Sequence, residues 1–404
     1  YRRQRQMCIR DRDNPYDKIS FLEADSDKMK QLNLKAAMKS VVLLKNEDNI
    51  LPLQPGTKVA VIGDFAQNPR YQGAGSSLVN PAKQPESILG EMKNSGLEMV
   101  AFEQGYRRNK KSDEKLINQA KEAAKKAEVV LIFAGLDEIS ESEGLDRTHM
   151  NMPQAQNMLI DEITTVNPNV IVVLSAGSAV EMPWSSYVRG IVHGYLGGQA
   201  GASAMLNVLT GKVCPSGKLN ETYPMHCEDT PVHHYYPSKE RSSEYREALY
   251  VGYRYYTTVD KKVRFPFGFG LSYTKFKYSD LKVDESGVTF QIRNTGKIKG
   301  TEIAQLYVGR KSDTVFRPVR ELKGFARVTL EAGESKTVHI GFDDKTFRFY
   351  DTRTDTWEIE TGDYEIMVGC DAQTMLLTDK LWVAGTVTEG RYEKEKMPEN
   401  FNGQ

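Results

Sequence analysis

Cysteine is scarce in this chain. Cys8, Cys214, Cys227 and Cys370 are the four present in 404 residues, too few and too scattered for a disulfide framework. No two of them form a CxxC pair, which removes the usual ligand spacing of a structural zinc site. Excess charge is missing as well: Lys+Arg and Asp+Glu both number 54, a formal net charge of zero. The electrostatic footprint of nucleic-acid binding is therefore absent. No apolar stretch approaches the roughly 18 residues that a membrane helix needs. The longest runs, Val129 to Ala134 and Val170 to Leu174, have the length of buried strands instead. No internal repeat is visible. The N-terminal run YRRQRQMCIRDRDN lacks an apolar h-region, so it reads as no secretory signal. Its QMCIRDR segment is similar to translated sequencing-adapter sequence, and residues 1–29 are set aside as a non-native or poorly ordered lead. A signal missing from such a lead bears little on compartment, and the cytoplasm stands as the default expectation.

What is present is a globular composition, 39% hydrophobic and 27% charged with 20 Tyr, which excludes wholesale disorder and a coiled coil. The length suggests two or three domains. From 30 to 225 the pattern alternates helix and strand. Lys30 to Leu44 has apolar residues at helical spacing. KVAVIG (Lys58 to Gly63) reads as a buried strand, and Ser112 to Lys126 as a helix with Ser112 at its N-cap. EVVLIFAG (Glu128 to Gly135) is apolar on both faces, as a parallel sheet requires. A helix from Pro153 to Thr165 follows, then strands NVIVVLSAG (Asn169 to Gly177) and GIVHGYL (Gly190 to Leu196), then a helix in GQAGASAMLNVLTG closed by Gly211. The expected fold class is α/β, an α/β sandwich on a mostly parallel sheet, with sites at the carboxyl ends of its strands. Residues 226–275 read as a long ordered linker. From 276 to 385 short runs such as GVTFQIRN, TEIAQLYVG, KTVHIGF and DYEIMVG, separated by turn residues, predict an all-β sandwich of immunoglobulin or fibronectin type III style. Residues 386–404 read as a tail or linker.

The segment with most chemistry is GLDEISESEGLDRTHMNMP, Gly135 to Pro153. It leaves the strongest predicted strand and carries five acids, Asp137, Glu138, Glu141, Glu143 and Asp146, with Arg147 as the only permanent cation among them. Carboxylates crowded on an active-edge loop suit general acid/base work, because mutual repulsion raises one of their pKa values toward neutrality. A merely solvated acidic loop fits the same spacing, and residue chemistry alone leaves the two readings open.

ESEGLDRTHMNMPQAQNMLI resembles the catalytic acid/base loop of glycoside hydrolase family 3, the β-glucosidases and β-xylosidases. The resemblance runs across nearly the whole chain. SVVLLKNEDNILPL (Ser40 to Leu53) is similar to the opening of that family's α/β sandwich domain. GQAGASAMLNVLTGKVCPSGKLNETYP (Gly198 to Pro224) resembles its GQ…G…NPSGKL…T.P block, with Cys214 where Asn is usual. YVGYRYY (Tyr250 to Tyr256) and FPFGFGLSYTKF (Phe265 to Phe276) resemble its most recognisable run, and the β-sandwich then corresponds to its fibronectin type III-like domain. The resemblance implies a retaining exo-β-glycosidase acting on terminal β-glucosides or β-xylosides, in β-linked oligosaccharides or aryl glycosides, with no cofactor. Its two carboxyl groups would stand about 5–5.5 Å apart. The acid/base would be a Glu between Ser140 and Arg147. Matching E-S-x-G points to Glu141; matching E-G-x-D-R points to Glu143, favoured by its ungapped spacing to Asp146 and Arg147. Those last two residues are expected to brace the loop as an ion pair.

The family's nucleophile is an Asp in a separate (β/α)₈ barrel of roughly 250 residues, for which this chain has no room. The chain is thus expected to supply half of a shared site and to be catalytically silent alone. Some family members carry the barrel after the β-sandwich, and YEKEKMPENFNGQ is similar to a linker into one. A different class of reading is a non-catalytic carbohydrate-binding or scaffolding module. Smaller signals point elsewhere more weakly. HCEDTPVHH (His226 to His234) fits no standard metal spacing and reads as a structural loop. Gly73-Ala74-Gly75-Ser76 lacks the GxGxxG of a phosphate cradle and reads as a rim loop near the domain interface. Trp184 and the tyrosines Tyr250, Tyr253, Tyr255 and Tyr256 read as interdomain packing rather than as sugar platforms.

Overall fold

The computed structural model describes residues 26–387, apart from 82, 109, 110, 240, 313 and 314. Most of the 1–29 lead and nearly all of the 386–404 tail lie outside the described residues. Among the described residues no helix is long and apolar enough to cross a membrane.

The first part of the chain is built on a six-stranded sheet. Its strands are β1 (Val42–Asn46), β2 (Lys58–Ile62), β3 (Glu98–Glu103), β4 (Val129–Gly135), β5 (Val170–Ser175) and β6 (Gly190–His193), in the order β1-β6-β5-β4-β2-β3. All neighbours are parallel except β1, which runs antiparallel to β6. Every residue of β4 is buried, because alternate side chains go to opposite covered faces. Ile132 and Ala134 join a core with Leu159 and Ile160 from the helix Gln154–Thr164. Leu131 and Phe133 join a second core with Met205 and Leu206 from the helix Gly201–Leu209. The mostly parallel α/β expectation holds.

Local details differ from the sequence reading. The helix expected over Lys30 to Leu44 spans Ser26–Ser40 instead, and Val42 to Asn46 is the edge strand β1. Val41, Val42 and Leu43 are β-branched or bulky and lie at 2% exposure or less, so burial against the sheet outweighs the helical spacing. Asp113, not Ser112, caps the next helix, Glu114–Ala124, its carboxylate accepting from the N–H groups of Lys115 and Leu116. The strand Glu98–Glu103, which the sequence pattern did not suggest, is the exposed edge beyond β2.

The connection over 226–275 is largely irregular. It contains a short helix, Tyr253–Thr258, and the strand β8 (Val263–Phe265), which pairs with β7 (Tyr223–Pro224) just before it. Beyond it stand two antiparallel sheets. One is β13 (Ser335–Gly341), β10 (Gly287–Asn294) and β9 (Phe276–Asp284); the other is β12 (Glu321–Leu330), β11 (Gly300–Gly309), β16 (Gly362–Gly369) and β17 (Met375–Val383). Their inner faces share one core that includes Phe290, Leu306, Tyr364 and Val368. A small hairpin, β14 (Phe349–Asp351) with β15 (Thr356–Glu358), projects from this sandwich.

The two parts are locked together by polar and aromatic contacts. Tyr253 stacks on Phe267 at 5.0 Å, and its hydroxyl oxygen accepts from the Leu322 N–H at 2.8 Å. The Lys218 ammonium pairs with Glu302 at 3.0 Å with both side chains about nine-tenths withdrawn from water. Trp184, by contrast, is a core residue of the first part, fully buried with its indole N–H on the Asn157 side chain.

Gly135 ends β4 at φ 146°, and a Cβ there would meet the Ser175 carbonyl oxygen at 1.9 Å. Backbone, not a flexible side chain, blocks that space. Gly135→Ala should therefore destabilise the chain by about 3 kcal/mol or more, read as a lower urea midpoint. An unchanged midpoint would show that β4 and β5 can separate freely.

Candidate active site

Four loops leave the carboxyl ends of β2, β4, β5 and β6 at one edge of the sheet, which is where open α/β sheets place ligands. The longest is the acid loop after β4. Its far end is pinned by a parallel bridge between Asn151 and Glu181 and by the Glu181 N–H donating to the Met150 carbonyl at 2.8 Å.

The five acids on this loop have separate partners. Asp137 is fully buried and caps a local turn, accepting from the Ser140 N–H at 2.8 Å. Glu138 takes the guanidinium of Arg108 at 2.9 Å, and Arg108 also holds Asp64 at 2.6 Å. Glu141 turns inward. Its carboxylate accepts from the Gly177 N–H at 2.9 Å and the Ser178 hydroxyl at 2.8 Å, both on the loop after β5. Arg70, from the loop after β2, lies 3.8 Å from that carboxylate and donates to the Glu141 carbonyl at 3.2 Å. Glu143 points out to solvent. It accepts from the N–H of Ser76 at 2.9 Å and from the Ser76 hydroxyl, and these contacts hold its carboxyl below its ordinary value. Asp146 is exposed and accepts from the Tyr236 hydroxyl at 2.7 Å.

The expected Asp146–Arg147 ion pair does not form. Arg147 instead turns under the loop, donating to the Ser178 hydroxyl at 2.6 Å and the Ala179 carbonyl at 3.2 Å. Adjacent residues in an extended loop point to opposite sides, so one faces Tyr236 and the other the sheet edge. Each still braces the loop, through a partner remote in sequence.

The rim loop meets the acid loop directly. Gly75 has φ 85°, and a Cβ there would lie 2.7 Å from the Cβ of Glu143. The glycine is what allows Ser76 to reach the carboxylate. His226, in the loop once considered for metal, stands 3.6 Å from Glu181, and the Cys227 N–H donates to Glu181 at 2.9 Å. These contacts staple the connection to the sheet edge.

Sequence reading passed over Arg70, Ser178 and Glu221. Arg70 and Ser178 lie far from the acids along the chain and carry no local signal. Glu221 lies in KLNETYP (Lys218 to Pro224), a run with no other acid to mark it. It is half-buried beside the acid loop, and desolvation raises its carboxyl to about 7, with Arg147 opposing and Glu141 adding to the rise. One of its oxygens, Oε1, and the Arg147 Nη2 are both buried without a hydrogen-bond partner among the described residues.

Two tests follow from this geometry. Glu141→Ala strips the partner from an Arg70 side chain that is 1% exposed, and an uncompensated buried charge costs about 3 kcal/mol. Glu143→Ala removes an exposed group and should leave the urea midpoint nearly unchanged; equal losses in the two variants would refute the division of roles. For Glu221, the folded pKa lies above the unfolded one, so the folded state holds the extra proton between them. Its stabilising contribution is present at low pH and is lost as pH rises from about 4.5 through about 7. Glu221→Gln should flatten the fall of the melting midpoint between about pH 5 and about pH 8, and an identical pH profile in both proteins would overturn the assignment.

Comparison with known proteins identifies the family. The model of the glycosyl hydrolase family 3 C-terminal domain matches residues 41–273, more than half of the chain, and that of the fibronectin type III-like domain matches residues 302–372. Thermostable beta-glucosidase B of Acetivibrio thermocellus is 44% identical over 374 residues, 90% of this chain and 49% of that protein. An exo-alpha-(1->6)-L-arabinopyranosidase of Bifidobacterium longum is 40% identical over 365 residues, 86% of this chain and 48% of that protein. The chain thus spans about half the length of the curated relatives it matches. Among solved structures, the GH3 beta-glucosidase of Bifidobacterium adolescentis superposes with a TM-score of 0.88 at 38% identity, covering 94% of this chain and 57% of that one. With its motifs, its fold and more than half of its length in agreement, this chain belongs to glycoside hydrolase family 3.

Proposed function

We propose that this chain is the part of a retaining exo-glycosidase that supplies the general acid/base, and that Glu143 is that residue. The observation that carries the choice is orientation. Glu141 is consumed as a brace: the Gly177 N–H and the Ser178 hydroxyl hold its carboxylate, and the buried Arg70 guanidinium lies beside that carboxylate and donates to its carbonyl. Glu143 faces solvent at the carboxyl edge of the sheet, next to the rim loop.

Contact with Ser76 favours the Glu143 carboxylate in this chain alone, which suits the base step but not the acid step. The acid step needs a proton on Glu143 while a second carboxyl, the nucleophile, stands ionised about 5–5.5 Å away. That second negative charge would raise the Glu143 pKa. The nucleophile belongs to the (β/α)₈ barrel expected from the family, and the surface around Glu143 fits a covering partner. Leu78, Val79, Ile139 and Leu145 are large apolar residues on these two loops at 60% exposure or more, an unusual density for a surface meant to stay wet.

The reaction is then a double displacement. Glu143 protonates the glycosidic oxygen as the barrel carboxylate attacks the anomeric carbon, and Glu143 afterwards takes a proton from the water that releases the sugar. The names of the relatives suggest a glucoside or an arabinopyranoside as substrate, besides the xyloside expected from the sequence.

In the complete protein, Glu143→Gln should lower turnover of an alkyl β-glucoside by roughly 10²–10⁴-fold. An aryl glycoside with an acidic leaving group should lose less, because departure of such a group needs little proton assistance. Glu143→Gln with full activity on both substrates would end the proposal.

A further inference from the structure

The groove between the connection helix and the β-sandwich is a second, non-catalytic carbohydrate site, we propose, built for an acidic oligosaccharide whose sugars bear carboxylates. It shares no lining residue with the acid loop. The cavity measures about 650 Å³ and lies among the helix Tyr253–Thr258, the segment 315–323 that leads into β12, and the β14–β15 hairpin. That volume is in the range of ligand pockets.

Its floor carries more positive than negative charge. Arg254, Arg317 and Lys323 all converge on one carboxylate, Glu321, at 3.8, 3.6 and 3.5 Å. Behind it Glu360 is shared between Arg310 at 3.5 Å and Arg317 at 3.4 Å. Among the described residues that line the groove, six are cationic and two, Glu321 and Asp351, are acidic, an excess of four positive charges. Part of that excess stands on side chains withdrawn from water, since Arg317 is 8% and Lys323 15% exposed. Burial chiefly, then the nearby Arg317 and Arg254, push the Lys323 ammonium down against the pull of Glu321. Three cations sharing the Glu321 carboxylate leave positive charge only partly neutralised at low exposure, which is costly, and an incoming anion would relieve it.

The rim adds what a sugar needs. Trp357 and Tyr350 pair across the hairpin, edge to face at 5.3 Å, and remain 56% and 45% exposed. Arg348 lies 4.6 Å over the Trp357 ring, and Lys345, fully at the surface, lines the same groove. Flat rings with polar edges cover the apolar face of a pyranose. Glu321 and Asp351 also line the groove. They would accept hydrogen bonds from sugar hydroxyls. The chain as a whole carries no net charge, so the positive excess of this groove is local.

Calorimetric titration of the full chain with tetragalacturonate tests the proposal, with cellotetraose and a short oligothymidylate as companions. Tetragalacturonate should bind, more weakly as salt is added, and cellotetraose should give no heat. Lys345→Glu and Trp357→Ala each alter an exposed side chain, so their melting midpoints should stay unchanged while affinity falls at least about fivefold. The proposal is overturned if tetragalacturonate gives no heat, if cellotetraose binds as well, if both variants bind normally, or if oligothymidylate displaces the sugar.

Discussion

A parallel sheet buried on both faces constrains everything else in the first part of this chain. Parallel neighbours need crossover helices, the helices must cover both faces, and all strands but β1 then discharge their loops at one edge. The acid loop after β4, the rim loop after β2 and the loop after β5 come together for that reason alone. The contacts that join these loops are remote in sequence: Glu141 reaches Gly177 and Ser178, and Glu143 reaches Ser76.

Within that frame the acid loop divides its labour by burial. A carboxylate held by an N–H group, a hydroxyl and a guanidinium is fixed in place and fixes the backbone it bonds. Glu141 occupies that position, and Asp137 and Glu138 are likewise engaged with a local turn and with Arg108. The loop spends most of its charge on its own shape. What is left to face a partner is Glu143, with apolar neighbours on the same rim.

The β-sandwich is attached through groups that cannot slide. A nearly buried ion pair, Lys218 with Glu302, and an amide contact from Gln305 to the Gly268 carbonyl at 3.1 Å tie it to the preceding part of the chain. Aromatic stacking of Tyr253 on Phe267 fills the space between. The tyrosine-rich YVGYRYY run is thus mainly mortar. One residue of the run, Arg254, lines the cationic groove instead.

Much of this was legible in the sequence. Strands β4 and β5 are continuous apolar runs, which parallel burial demands, and the alternation in GVTFQIRN and TEIAQLYVG marks a half-buried antiparallel sandwich. The acid loop announced itself by composition, and the family resemblance by five motifs in order. The sequence could not reveal which of Glu141 and Glu143 turns inward, because two residues apart on a loop they differ only in what folds against them. It could not show that Val42 to Asn46 leaves helical spacing for an edge strand, since the partner, β6, lies about 150 residues away. Local pattern determines which faces must be buried; the sheet edge decides which charges meet, because hydrogen bonds and ion pairs there join loops that only the tertiary fold brings within reach.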